Sequence, residues 1–229
     1  TREHIMHEKL KIADAFDEYS IMFLNGDDEM LASICETTTL PVVYYGTQPW
    51  CTYRAEDIQT DGMKTTFTVH APTYTSKVIL PVLGMHNVLN ALATIAVCHH
   101  MGLSIEEIAE GFKVFSGTKR RFQTKFRNEN VWIVDDYAHH PTEIQTTIKA
   151  AKQTNPKRLI VAFQPHRYSR TQLLQKEFGS CFVGADVLVL TDIYAASEDP
   201  IEGISGKTIV DEVKKQTGVD AIYIEKLED

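Results

Sequence analysis

The sequence predicts an α/β chain in two parts: a β-rich portion over residues 1–116, then a portion over residues 117–229 in which strands and helices alternate around a mostly parallel sheet. Three observations carry that reading. Between residues 40 and 83, apolar stretches of short period are separated by Gly, Pro and Asp turns, the pattern of paired strands. From residue 131 onward, apolar runs of strand length alternate with stretches of helical period, which argues for parallel strands joined by helices. Two of those runs end in polar signatures where a strand hands over to a helix. Val131-Trp132-Ile133-Val134 leads into Asp135-Asp136-Tyr137-Ala138-His139-His140-Pro141-Thr142-Glu143, and Leu159-Ile160-Val161-Ala162-Phe163 leads into Gln164-Pro165-His166-Arg167-Tyr168-Ser169-Arg170-Thr171. In an open α/β sheet ligands bind beyond the carboxyl ends of the strands, so both signatures fall where chemistry is expected.

Taken in order, Ile5, Ile12, Ala13 and Phe16 hold roughly helical spacing and open the chain on a helix, with a strand over 20–24. Asn25-Gly26-Asp27-Asp28 reads as a turn into a short helix over 29–34. Strands are expected over 41–45, 52–59, 65–70 and 77–83, with Asp61-Gly62 as a hairpin signal. A helix over 87–101 sets Val88, Leu92, Ile95 and Ala96 on one face and stops at Gly102. Ser104 and Glu107 make a capping box for a second helix that reaches about Phe112. Past a boundary near Gly117, residues 122–126 and 131–134 pair as an entry hairpin across Asn128-Glu129-Asn130. Helices then follow over 141–153, 169–182 and 207–216, and strands over 158–163 and 187–190.

Composition narrows the function classes. With 43% hydrophobic and 24% charged residues the chain is neither disordered nor membranous, and no apolar run approaches the ~20 residues a membrane span needs. A net charge of -8 argues against nonspecific nucleic-acid binding, so an anionic ligand needs a local basic cluster. Cys35, Cys51, Cys98 and Cys181 lack CxxC spacing and read as buried free thiols of a cytosolic protein. No Gly-x-Ser-x-Gly elbow supports a serine hydrolase.

The signatures carry helix-start chemistry. Pro141 suits the first helical position, and Glu143 complements the positive end of the dipole. His139 and His140 at that positive end are expected neutral. Ser169 and Gln172 have capping-box spacing. Arg167 and Arg170 then crowd a helix start where cations are least welcome, and a bound carboxylate or phosphate is the natural remedy. The plainer alternative is a pair of solvated arginines.

These two signatures, with Gly84-Met85-His86-Asn87-Val88-Leu89-Asn90-Ala91 and Gly117-Thr118-Lys119-Arg120-Arg121-Phe122, resemble the Mur ligases of peptidoglycan synthesis, most strongly over residues 77–215. The resemblance implies the later part of a central ATPase domain joined to most of a Rossmann-like C-terminal domain that binds the incoming amino acid. The phosphate loop and a UDP-binding domain are expected upstream of Thr1 and the last strands beyond Asp229, so this chain alone is not expected to turn over. It also implies ATP with Mg2+, UDP-N-acetylmuramate and L-alanine as reactants, and an acyl phosphate intermediate. By position, His86 and Asn87 match an ATP-contacting pair, with a helix cap by Asn87 as the alternative. Arg121 matches an arginine that reaches ATP on closure about the Gly117 hinge, against a solvated basic face. Asp136 matches a nucleotide-binding acid, against strand-end capping. Tyr137, His139, His166, Arg167 and Arg170 match the group around the amino acid and the muramoyl end, with Arg167, His166 and His139 nearest the chemistry. Arg167 and Arg170 are the candidates for the alanine carboxylate.

Some features depart from that pattern. The opening Arg2-Glu3-His4-Ile5-Met6-His7-Glu8-Lys9-Leu10 is more similar to later-step ligases, in which a lysine at the position of Lys9 is carbamylated and helps hold magnesium; an ordinary surface lysine is the alternative. Ser197 stands where a glycine is common. Gly203-Ile204-Ser205-Gly206-Lys207-Thr208 has the look of a phosphate loop, but Ile201 breaks the fuller pattern and a plain helix start is expected. A recycling or later-step ligase, and a noncatalytic nucleotide- or amino-acid-binding module, remain as rivals.

Overall fold

The computed structural model describes residues 2–36 and 38–225. The chain forms two compact units, Thr1–Ser116 and Gly117–Asp229. In the first, helix α1 (Arg2–Leu10) runs into a 3-10 turn and strand β1 (Met22–Asn25), followed by α2 (Glu29–Ala32). Asp28 starts α2 by accepting from the N–H groups of Met30 and Leu31, the usual way an acidic side chain satisfies orphan donors. Strands β2 (Val42–Gly46), β3 (Tyr53–Asp61), β4 (Lys64–His70) and β5 (Thr75–Leu80) complete a sheet of order β1-β2-β3-β4-β5. The β1, β2 and β3 contacts are parallel, and β3, β4 and β5 are antiparallel. Asp57, with φ of 51°, marks a bulge in β3, where the register with β4 shifts between Glu56 and Gln59.

Helix α3 (Met85–His100) covers this sheet, and the apolar face expected for it is the buried one: Val88, Leu92, Ile95 and Ala96 join Phe67, Val69, Val78 and Leu80 in one cluster. Helix α4 (Ile105–Val114) starts on the Ser104–Glu107 capping box. Gly84 precedes α3 at φ of 96°, a conformation only glycine adopts without strain.

In the second unit, β6 (Gln123–Arg127) and β7 (Trp132–Asp135) form the antiparallel hairpin. Strands β8 (Ile160–Phe163), β9 (Val187–Thr191) and β10 (Asp220–Ile224) form a parallel sheet of order β10-β9-β8. Helix α5 (Pro141–Lys152) leads to β8, α6 (Tyr168–Leu173) and α7 (Gln175–Cys181) lead to β9, and α8 (Gly206–Gln216) leads to β10. Ile144, Ile148, Phe178, Phe182, Ile209 and Val213 from these helices pack with Leu188 and Leu190 of the central strand. That strand is apolar from Val187 to Leu190 because both of its faces are covered.

The structure corrects several sequence expectations. Among the described residues the run at 131–134 pairs with β6 and does not join the parallel sheet. Strand β10 has no counterpart among the elements expected from the sequence. The helix over 169–182 is broken at Leu174, which turns into the core cluster. All four cysteines are free, but only Cys51 and Cys181 are buried; Cys35 is exposed. Burial pushes the Cys181 thiol up to about 12, which keeps it protonated and inert. Among the described residues no helix is long and apolar enough to cross a membrane.

Candidate active site

Both polar signatures open into one cavity of about 590 Å³ in the second unit, beyond the carboxyl ends of β7, β8 and β9. Asp136, Tyr137 and His139 line it from one side, and His166, Arg167, Arg170 and Tyr194 from the other. The His139 and His166 rings stand 6.4 Å apart, and His166 and Tyr194 5.5 Å apart.

The first wall is set by the start of α5. His140 is the N-cap, its Nδ1 accepting from Thr142 N–H at 3.3 Å, which requires that nitrogen to be unprotonated. The Glu143 carboxylate reaches back to accept from His139 N–H at 3.0 Å and His140 N–H at 3.3 Å. Burial pushes that carboxyl up, but the two backbone donors, with His139 and Arg121, hold it below the usual 4.5. A carbonyl oxygen can only accept, so the 3.0 Å contact between His139 Nδ1 and Tyr137 O places the proton on Nδ1. The neutral ring then has its acceptor at Nε2. Asp136 ties the loop, one oxygen accepting from Phe122 N–H at 2.7 Å and the other from Ala138 N–H at 2.8 Å. Strand-end capping is thus one role of Asp136.

The second wall is built differently. Arg167 is the N-cap of α6 at φ of 75° and ψ of 135°, a region in which a residue with a side chain is strained by about 1–3 kcal/mol. It is held from both ends: Arg167 N–H donates to Tyr194 O at 2.8 Å, and Thr171 donates to Arg167 O through N–H and Oγ1. Ser169 makes no capping box. Instead Glu198, from the loop after β9, accepts from Ser169 N–H at 3.0 Å and from Ser169 Oγ at 2.6 Å. The anion that the crowded arginines call for is therefore supplied first by the chain itself. The Ser169 hydroxyl and amide hold Glu198 below the usual carboxylate range.

Arg170 Nη1 donates to His166 O at 3.2 Å and lies 3.4 Å from His166 Nδ1. A guanidinium has no acceptor, so Nδ1 is the accepting nitrogen and the neutral ring carries its proton on Nε2. Burial, then the charges of Arg170, Arg167 and His139, push His166 below its ordinary 6.5, against a smaller pull upward from Glu198.

The other candidates lie elsewhere. Arg121 is exposed and does not line the cavity; Arg120 does, its guanidinium 4.4 Å over the Tyr137 ring. His86 and Asn87 belong to the first turn of α3 in the first unit, where Asn87 Nδ2 donates to Leu83 O at 2.7 Å instead of capping the helix. Lys9 is exposed near the end of α1, and among the described residues no group of three or more His, Cys, Asp or Glu is arranged to hold a metal ion. The phosphate-loop look-alike is a helix start: Gly206 N–H donates to Asp192 Oδ1 at 2.9 Å.

Three residues in or beside the cavity escape sequence reasoning. Arg120 is in the basic run, but only the left-handed turn at its own backbone, φ of 57°, separates its direction from that of Arg121. Tyr194 enters through a bridge to His166. Glu198 comes from a loop whose aim no local pattern encodes.

Residues 1–98 match the Mur ligase middle domain and residues 120–229 the Mur ligase, glutamate ligase domain. A UDP-N-acetylmuramate–L-alanine ligase from Geotalea uraniireducens is 44% identical over 207 residues, covering 90% of this chain and 45% of the relative. One from Syntrophus aciditrophicus is 39% identical over 228 residues, covering 99% and 48%. The crystal structure of the UDP-N-acetylmuramate-alanine ligase from Thermotoga maritima superposes with a TM-score of 0.72 at 31% identity, over 90% of this chain and 43% of that one. The chain spans about half the length of the curated relatives it matches.

Proposed function

The chain belongs to the Mur ligase family, and from that premise we propose that the protein is the ATP-dependent ligase that joins L-alanine to UDP-N-acetylmuramate in the cytoplasm, an early step of peptidoglycan precursor synthesis. The single cavity that gathers Arg120, Arg167 and Arg170 with two imidazoles of opposite hydrogen-bonding sense carries this reading, and the names of the relatives support it.

The reaction asks for alignment and charge neutralisation more than for a nucleophile from the protein. ATP gives its terminal phosphoryl group to the muramoyl carboxylate, leaving ADP and an acyl phosphate. The alanine amine attacks the acyl carbon, the tetrahedral intermediate expels phosphate, and an amide remains. Arg167 and Arg170 hold the alanine carboxylate with their guanidinium forks. His139, with its acceptor at Nε2, takes the proton that the amine must lose. His166, with its proton on Nε2, donates to the oxygen that becomes negative in the intermediate. Tyr137 and Arg120 stack at the rim.

His86 and Asn87 sit at the start of a 16-residue helix, an end that favours nucleotide phosphate; Arg121 and Asp136, in the second unit, are nucleotide-contacting candidates by their match to the family motif. Magnesium takes oxygen ligands, commonly one or two carboxylates with substrate phosphates and water. Among the described residues no group of three or more His, Cys, Asp or Glu forms a cage for it. Carbamylation of Lys9 would add an oxygen ligand and would register as a mass increase of one carbon dioxide.

Phosphate release by the full-length protein with ATP and UDP-N-acetylmuramate should require L-alanine, and Arg167→Ala should lower kcat/KM for L-alanine by about 100-fold while leaving the KM for ATP nearly unchanged. Release that prefers a tripeptide over L-alanine would assign a recycling ligase instead. Release indifferent to both would end the ligase reading.

A further inference from the structure

Glu198 reaches the second wall of the cavity by an unusual route. Ala196 and Ser197 both sit in left-handed backbone, φ of 51° and 72°, and the turn closes when Glu198 N–H donates to Ala195 O at 3.1 Å. Two consecutive left-handed residues with side chains cost conformational energy, and their effect is to reverse the chain so that one carboxylate meets the start of α6. There it accepts from the amide and the hydroxyl of Ser169, and its Oε1 stands 4.0 Å from Arg167 Nη1. Helix α6 has six residues and no side-chain cap of its own. Its first residues follow the strained Arg167, so nothing local fixes the direction of that guanidinium. The Arg167 side chain is 51% exposed, whereas that of Glu198 is 25% exposed.

We propose that Glu198 is a positioning residue for the ligation reaction: by capping α6 from the β9 loop and flanking Arg167, it aims that guanidinium at the carboxylate of the incoming amino acid. The long 4.0 Å separation suits this role. It restrains Arg167 electrostatically without consuming the fork, since Glu198's short hydrogen bonds go to Ser169. The inference rests on the amino-acid role of Arg167 proposed above.

The test uses the full-length protein. Glu198→Ala should raise the KM for L-alanine about 10-fold with kcat changed less than about 3-fold. In an Arg167→Ala background, the same change should add little, because the residue acts through Arg167. Glu198→Gln keeps an acceptor for Ser169 but no charge, should fold normally, and should give an intermediate KM. Hydrogen exchange gives a readout independent of turnover: amide protection at Tyr168 and Ser169 should fall in Glu198→Ala while that of β9 stays. An unchanged alanine KM in either variant, or a KM effect that adds fully to that of Arg167→Ala, overturns the proposal. If the unaltered protein releases no alanine-dependent phosphate, the activity reading fails on its own. The exchange experiment then decides the capping claim, with unaltered protection at Ser169 overturning it.

Discussion

The two helix starts that face the cavity solve the same problem in opposite ways. Helix α5 is capped from its own sequence: His140 accepts from Thr142, Glu143 reaches back to His139 and His140, and Pro141 occupies a position whose missing N–H costs nothing. Helix α6 is capped from outside, by Glu198, and begins on the strained Arg167. The start of α8 combines both: Ser205 N–H donates to Thr208 Oγ1 at 3.0 Å within the helix start, and Gly206 N–H donates to Asp192 Oδ1 from the loop after β9. Local capping leaves the imidazoles where strand and helix directions put them. Remote capping lets a loop from the neighbouring strand decide where an arginine points, at the cost of backbone strain.

The contrast can be tested by breaking each helix start in turn. Gly206 lies so close to the carbonyl of Thr191 that an added Cβ would collide with it. Because that atom is backbone and cannot yield, Gly206→Ala should destabilise the second unit by about 3 kcal/mol, read by chemical denaturation. Equal stability would mean that α8 is free to shift.

A smaller effect is expected at the local cap. Glu143→Ala should cost about 1–2 kcal/mol at neutral pH. The carboxyl titrates lower in the folded chain than its ordinary 4.5, so the unfolded chain binds the proton more readily. Its stabilisation is therefore complete above 4.5 and lost as pH falls through that value toward the folded one. Denaturation midpoints of parent and variant should converge in acid; a gap that persists there would assign the loss to packing.

The smallest change goes the other way. Ser197 holds φ of 72°, and Ser197→Gly should raise stability by about 0.5–1 kcal/mol, the relief of left-handed strain less the entropy glycine loses. If stability falls instead, the serine makes a contact worth more than the strain.

Much of the fold was legible in the sequence because its signals are local. The buried face of α3 follows from the spacing of Val88, Leu92, Ile95 and Ala96, and the start of α4 from Ser104 and Glu107. The hairpin of β6 and β7 follows from two short runs across an Asn-rich turn. The five-residue β10 was not legible, because Asp220 and the short alternation after Gly218 look like a loop until β9 is beside them. Tyr137, His139, His166, Arg167 and Arg170 all line the one cavity, as the clustering of the two polar signatures at strand ends led one to expect. Ser169 was misread as a cap because side-chain direction at a helix start depends on backbone angles and on partners distant in sequence.

By itself the sequence determined the strand and helix periods, the cap of α5 and the residue types that meet beyond the strands, all interactions within a few positions along the chain. Tertiary structure alone decided that β7 stays out of the parallel sheet, that Arg120 and not Arg121 lines the cavity, and that Glu198 caps α6. Each of these depends on which distant segments pair, and a hydrogen bond spanning 29 residues leaves no periodic trace in the sequence between them.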